Sequence, residues 1–124
     1  MDQLEWNTGI REFPLGSGVV RFNPTDPNVY RRFSQLGSRL EEICGGISGE
    51  DMMEQMADAD EKMKKALGQV FGPGNDFDDL LQGVSLFAKA ENGQTVLMNL
   101  LGALEPILHR GAQECAMALL QEQA

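Results

Sequence analysis

Residues 69–81 read QVFGPGNDFDDLL: two glycines flank a proline, and three acids then fall within four positions. Three readings compete for this stretch, namely a phosphate cradle, a calcium loop and a corner between two helices. A P-loop needs a lysine and a hydroxyl residue after its second glycine, so that ammonium and Mg²⁺ neutralise phosphate charge. Asn75 and Asp76 follow Gly74 instead, and their added negative charge repels a phosphate. A calcium loop needs oxygen ligands at alternate positions, a central glycine and a late glutamate. Here Asp76, Asp78 and Asp79 run into Leu80, Leu81 and Gln82, so the ligand series stops. The corner reading remains. Gly72 ends one helix in a left-handed conformation, Pro73 prevents its continuation, and Asn75 or Asp76 caps the next. Phe71 and Phe77 bracket the turn and are expected to pack beneath it.

Outward from this corner the chain reads as a single domain over residues 1–124, a β-hairpin in 1–25 followed by a helical bundle in 26–124. A chain of this length buries roughly two-thirds of the surface its unfolded form exposes, enough for a core without disulfide or metal. IREFPL and GVVRFN are short β-prone runs joined at Gly16-Ser17-Gly18. Pro14 lacks a donor for a ladder, which marks its strand as an edge. A lone hairpin is marginal in water, so this one docks on helices or on a partner's sheet. Val20 and Phe22 are therefore candidate partner-binding residues.

Asp26 is placed to cap a helix with Pro27 at its first position. Val29, Phe33, Leu36, Leu40 and Ile43 then recur at fours and threes, one apolar seam that Gly45-Gly46 ends. Ser48 with Asp51 resembles a capping box for a second helix. Its seam runs through Met52, Met56, Ala59, Met63, Ala66 and Val70. Two matched seams across a short glycine turn predict an antiparallel helical hairpin. Lys62, Lys64 and Lys65 sit toward the favourable end of that helix's dipole, and Asp58 with Lys62 has the spacing of an i,i+4 ion pair. Residues 84–90, VSLFAKA, fit strand or helical turn equally. Asn92-Gly93 turns the chain, and residues 95–121 form an apolar helix lined by Leu97, Leu101, Leu104, Leu108, Cys115 and Leu119. Pro106 is expected to kink it, with Gly102 four residues back easing the bend. The fold class is thus mainly α (α+β): a hairpin and a bundle of three to four helices.

The formal net charge is −9. Residues 27–47 carry +1, while 48–72 hold six acids to three lysines and 73–94 four acids to one lysine. Duplex nucleic acid and anionic membranes are repelled by such a chain, and a neutral or basic protein partner suits it better. No run approaches the ~20 apolar residues of a membrane span, and the N-terminus has no signal-peptide pattern. Two isolated cysteines, Cys44 and Cys115, fit a reducing compartment. The expectation is a soluble, cytoplasmic protein.

No catalytic constellation emerges, and no cofactor or metal site is expected. His109 is the only histidine, and Cys115 lies six residues on, away from its face of the helix. ADADEK, with Asp58, Asp60 and Glu61, lacks the glycine of a calcium loop. Met52, Met53, Met56 and Met63 crowd one helix, with Met98 and Met117 elsewhere. Methionine fills irregular cores and also forms adaptable binding surfaces. Met53 lies off the seam and is the residue most suited to face a partner; Met56, Leu97 and Leu101 complete the candidate set.

FNPTDPNVYRRF (22–33), DADEKMKKALGQVFGPGNDFDDLLQG (58–83) and the closing LLGALEPIL helix resemble a family of small acidic prophage proteins of Gram-positive bacteria, the tail assembly chaperones of long-tailed phages. In that pattern a β segment leads into a helix, a second helix ends in a Phe-Gly-x-Gly turn (Phe71, Gly72, Gly74), and an apolar helix follows. The likeness covers most of the chain, and its motifs are structural rather than chemical. It implies a non-enzymatic, homo-oligomeric chaperone that binds the helical tape measure protein and recruits tail tube protein, in some cases with a longer frameshifted form. The alternative is a structural virion component, a connector or tail-completion protein that stays in the particle.

Overall fold

The computed structural model describes residues 7–123. The antiparallel strands β1 (Arg11–Leu15) and β2 (Gly18–Phe22) pair with Leu15 opposite Gly18, so the turn is the two residues Gly16 and Ser17. Gly16 takes φ +60°, which the tight turn requires and a side chain resists. The helices α1 (Pro27–Ser34), α2 (Leu36–Cys44), α3 (Met52–Phe71), α4 (Phe77–Leu80) and α5 (Val96–Gln123) follow. The chain is mainly α with an N-terminal hairpin, as the sequence implies. Among the described residues no helix is long and apolar enough to cross a membrane.

One continuous core joins the hairpin to the bundle. It draws Val20 and Phe22 from β2, Met63 and Leu67 from α3, and Leu104 and Leu108 from α5. Phe71 is its hub: ring centroids lie 4.7 Å away at Phe22, 5.8 Å at Phe77 and 6.3 Å at Phe33. The hairpin thus docks on helices through the aromatic cluster, a contact worth about 0.5–1.5 kcal/mol per aromatic pair beyond the area buried.

Several local expectations are corrected. The single helix expected over Val29–Ile43 is divided at Gln35, whose N–H bonds the Arg32 carbonyl three residues back rather than continuing the regular ladder. Ser34 Oγ, bonded to the Arg31 carbonyl at 2.7 Å, competes for the same carbonyl row and favours the break. The Ser48–Asp51 capping box does not form. Asp51 precedes α3 without a side-chain cap, and Ser48 instead exchanges backbone hydrogen bonds with the Gln55 amide. Gly72 has φ 93° and ψ −178°, a glycine-only extended region rather than the left-handed helical cap. Residues 84–90 are neither strand nor helix; they form turns, closed by a bridge between Lys89 and Thr95. Asp26 does cap α1, accepting from the Asn28 N–H at 2.9 Å, with Pro27 in the first turn.

The last helix is fixed to the hairpin end by close contact. A Cβ at Gly111 would overlap the Pro24 carbonyl, so α5 approaches that loop as only glycine allows. Arg11 of β1 reaches Glu114 of α5 at 2.9 Å, and its guanidinium holds the Glu114 carboxyl below the usual range by hydrogen bond and charge.

Candidate functional site

The corner at 69–81 has its polar groups directed inward, to other parts of the chain. The Asn75 amide is buried and faces the outer edge of β2: Oδ1 accepts the Arg21 N–H at 2.7 Å, and Nδ2 donates to the Arg21 carbonyl at 2.8 Å. The same Nδ2 reaches the Phe71 and Gly72 carbonyls at 3.2 and 3.1 Å, which α3 leaves unpaired at its C-terminus. Arg32 Nε of α1 caps another of these, the Val70 carbonyl, at 3.0 Å. Asp76 caps α4, taking the N–H groups of Asp78 and Asp79.

Lys64, one of the three lysines toward the C-terminal end of α3, has a side chain only 7% exposed. Its ammonium lies 2.9 Å from Asp60 and 2.7 Å from Asp78. Burial alone lowers its pKa, but the hydrogen bonds to Asp78 and Asp60 and their charges outweigh burial, and the net direction is upward. Asp60 also accepts the Leu86 N–H at 2.7 Å, tying the 84–90 segment to α3. The Asp58–Lys62 pair does not form. A cavity of about 520 Å³ beside this corner is lined by Glu61, Lys64, Lys65 and Asn75. Lys64 is committed to Asp60 and Asp78, and Asn75 to Arg21, Phe71 and Gly72, so neither is free to bind a ligand there.

Nothing comparable to a reaction centre appears elsewhere among the described residues. His109 is exposed with Glu105 at 3.7 Å, and Cys44 and Cys115 are free thiols on different helices. Burial raises the Cys44 thiol's pKa, which keeps it protonated and weakly nucleophilic. Among the described residues no group of three or more His, Cys, Asp or Glu is placed to hold a metal.

The uncovered apolar surface lies at the ends of the two long helices. Through its first two turns α3 has no buried residue, although its seam continues there as Met52 and Met56. Met53 is 80% exposed beside them. Below this cluster a groove of about 370 Å³ is lined by Leu40, Ile47, Met56, Phe87, Leu97 and Met98. Its walls are almost wholly carbon and sulfur. At the other end, α5 from Ala112 onward leaves Met117, Leu119 and Leu120 exposed, beside a second groove of about 500 Å³ that includes Tyr30, Cys115 and Leu119.

The sequence-predicted residues divide accordingly. Met56 lines the α3 groove and Met98 joins it from α5, a neighbour the periodicity did not single out, while Met53 is exposed one turn before Met56. Leu101 is half-buried in a separate cleft with Tyr30, Phe33 and His109. Val20 and Phe22 are 0% exposed, because they seat the hairpin on Phe71 and Phe77 instead of presenting it to a partner. Leu97 is buried too and contributes only the floor of the groove. Val20 and Phe22 are core residues rather than partner contacts, and Leu97 belongs to both the core and the groove floor. No family model, curated protein or solved structure matches this chain.

Proposed function

We propose that the chain is a non-enzymatic assembly chaperone or scaffold that holds an apolar-faced helix of another protein in the α3 groove. One observation carries the reading: Met56 and Met98 line an apolar groove, and Met52 and Met53 stand exposed one turn before Met56 on the same helix. Methionine side chains are unbranched and polarisable, so they repack around different helical stripes at small cost. The resemblance of 22–33 and 58–83 to phage tail assembly chaperones supports the narrower form. In that form the partner is a tape measure protein, tail tube protein is recruited, and the chaperone acts as a homo-oligomer in the host cytoplasm. The net charge of −9 favours solubility of such a complex.

The test is a titration of the purified chain against fluorescein-labelled helical peptides bearing one leucine stripe, read by anisotropy. Saturable binding that Met53→Gln weakens at least about tenfold is expected, a loss of 1.4 kcal/mol. A folded chain that ignores every striped helix overturns the proposal. Mass spectrometry of finished particles tests the narrower form. A chaperone is absent from them, whereas a connector or tail-completion protein is present.

A further inference from the structure

The exposed Asn92-Gly93 turn leads the 84–90 segment into α5. In an asparagine–glycine pair the side-chain carboxamide and the next peptide nitrogen meet with least hindrance, because glycine carries no Cβ. Here the fold also holds that carboxamide in place. Asn92 Oδ1 accepts the Gln94 N–H at 3.1 Å, which lays the side chain across the Gly93 peptide. The half-buried Asn99, in the first turn of α5, pairs with the same amide. Asn92 Nδ2 donates to Asn99 Oδ1 at 2.8 Å, and Asn99 Nδ2 donates to Asn92 Oδ1 at 3.3 Å. Two N–H donors therefore converge on one carbonyl oxygen, Asn92 Oδ1. The other five asparagines lack this arrangement. Asn23 precedes Pro24, whose nitrogen has no hydrogen to lose. Asn75 is buried, with its amide committed to Arg21, Phe71 and Gly72. Asn7, Asn28 and Asn99 precede Thr8, Val29 and Leu100, whose side chains crowd the approach.

From this geometry we infer that Asn92-Gly93 is a self-modification site, where the chain converts its own asparagine to aspartyl and isoaspartyl residues with water as co-reactant. Hydroxide removes the Gly93 N–H proton, and the nitrogen attacks Asn92 Cγ. As the Cγ–N bond forms, negative charge moves to Oδ1, where the Gln94 and Asn99 N–H groups stabilise it. Collapse breaks the Cγ–Nδ2 bond, and Nδ2 leaves as ammonia after taking a proton from water, which restores hydroxide. Water then opens the five-membered imide. Addition at Cγ gives an aspartyl residue at position 92. Addition at the main-chain carbonyl gives the isoaspartyl isomer, with the backbone rerouted through Cγ. The aspartyl form adds a negative charge before α5, whose first turn has no acid, and the helix dipole favours it. The isoaspartyl form lengthens the backbone inside a closed turn. That turn is held by the Gly93–Ala90 and Ala90–Gln94 bonds, at 3.0 and 2.8 Å, and by the Lys89–Thr95 bridge. Its lengthening loosens the segment that gives Phe87 and Thr95 to the α3 groove. The bond from the Gly93 N–H to Ala90 opposes the first step, since deprotonation forfeits it, and the donor pair on Oδ1 acts against that cost.

The purified chain, incubated at mildly alkaline pH, tests this. Fragment mass spectrometry follows the mass gain of amide-to-acid conversion at each asparagine, and isoaspartyl-specific methyl transfer counts that isomer. Conversion at Asn92 should outrun that at each of the other five asparagines by about tenfold or more. Asn99→Ala removes one of the two donors and should slow conversion at Asn92 by about threefold or more with the thermal melt in place. Asn99→Asp keeps the side-chain shape without the donor and should slow it at least as much. In urea-unfolded chains the wild type and both variants should convert at one rate, because Asn99 reaches Asn92 only through the fold. An Asn92 that stays intact, or another asparagine that converts as fast, overturns the inference. So does a folded-state rate indifferent to both Asn99 variants, or an Asn99 effect that persists in urea.

Discussion

Replacing Asn75 tests whether the glycine corner holds the hairpin to the bundle. Its side chain takes the place of a third strand on β2, pairing with both the N–H and the carbonyl of Arg21. It also shares its amide hydrogens with the Phe71 and Gly72 carbonyls. Asn75→Ala removes all four contacts at once. The two short bonds to Arg21 contribute about 1 kcal/mol each, and the shared pair adds less, so the loss is about 2.5 kcal/mol. With a urea slope of about 1.5 kcal/mol/M the unfolding midpoint falls by about 1.7 M. Circular dichroism at the helical minimum reads it directly, with Gln94→Ala on an exposed turn as the control expected to stay within about 0.5 kcal/mol. Asn75→Asp refines the test. It keeps the acceptor for the Arg21 N–H but turns a carboxylate oxygen toward three carbonyls, so at neutral pH it costs at least as much as alanine. Acidification lessens that cost, because a protonated carboxyl donates again. A midpoint within about 0.3 M of wild type for Asn75→Ala, under 0.5 kcal/mol at that slope, refutes the structural role assigned to the corner.

Lys64→Met leaves Asp60 largely buried without its counterion and should cost about 2–3 kcal/mol, whereas Asp78→Asn, at an exposed carboxylate, should cost under about 1 kcal/mol. Asp78 and Asp60 raise the pKa of Lys64 in the folded chain above the ordinary lysine value of about 10.4, so its contribution is complete at neutral pH. The wild-type advantage over Lys64→Met therefore holds up to about pH 10.5 and shrinks as pH rises through the folded value, seen as converging urea midpoints. Two glycines of α5 should respond with opposite signs. Gly102→Ala enters open space and gains about 0.5–1 kcal/mol of helix propensity. Gly111→Ala drives a Cβ into the Pro24 carbonyl and loses about 1–3 kcal/mol despite the same gain. Calorimetric melts of the pair decide it, and a stabilised Gly111→Ala rules out the close packing of α5 on that loop.

What could be read from sequence here is what is specified locally. Asp26 with Pro27, the Gly16 turn and the Phe71–Phe77 corner each lie within a few residues of the groups they satisfy, and each forms. Pairings across long separations left no local signal. Asn75 faces Arg21, 54 positions away, and looked like one of two possible helix caps. Lys64 was read only as one of three lysines favoured by the helix dipole, because nothing in its neighbourhood announces that Asp78 will fold back over it. Periodicity also identifies a face without saying what covers it. Met52 and Met63 occupy equivalent places on one seam, yet Met63 is fully buried and Met52 is substantially exposed. Val20 and Phe22 erred in the opposite direction, since an alternating strand face looks the same whether it meets helices or a partner.

The difference between the two ends of α3 is the strongest physical reason to treat the groove as a binding surface. At its C-terminal end the orphan carbonyls are capped by Asn75 and Arg32, Lys64 is paired twice, and Phe71 is enclosed by three rings. At its N-terminal end there is no side-chain cap, no buried residue for two turns, and a row of acids beside apolar side chains. Were the seam required only for folding, serine or glutamine at Met52 and Met53 would serve as well, since neither position is buried. Exposed methionine there fits the proposed docking of an apolar surface, since Met56 one turn on and Met98 from a different helix line the groove. The double substitution Met52→Gln and Met53→Gln should consequently leave the urea midpoint within about 0.5 kcal/mol of wild type while abolishing binding of striped helices. A loss of stability of several kcal/mol in that variant would assign the methionines to the core and remove the main support for the binding surface.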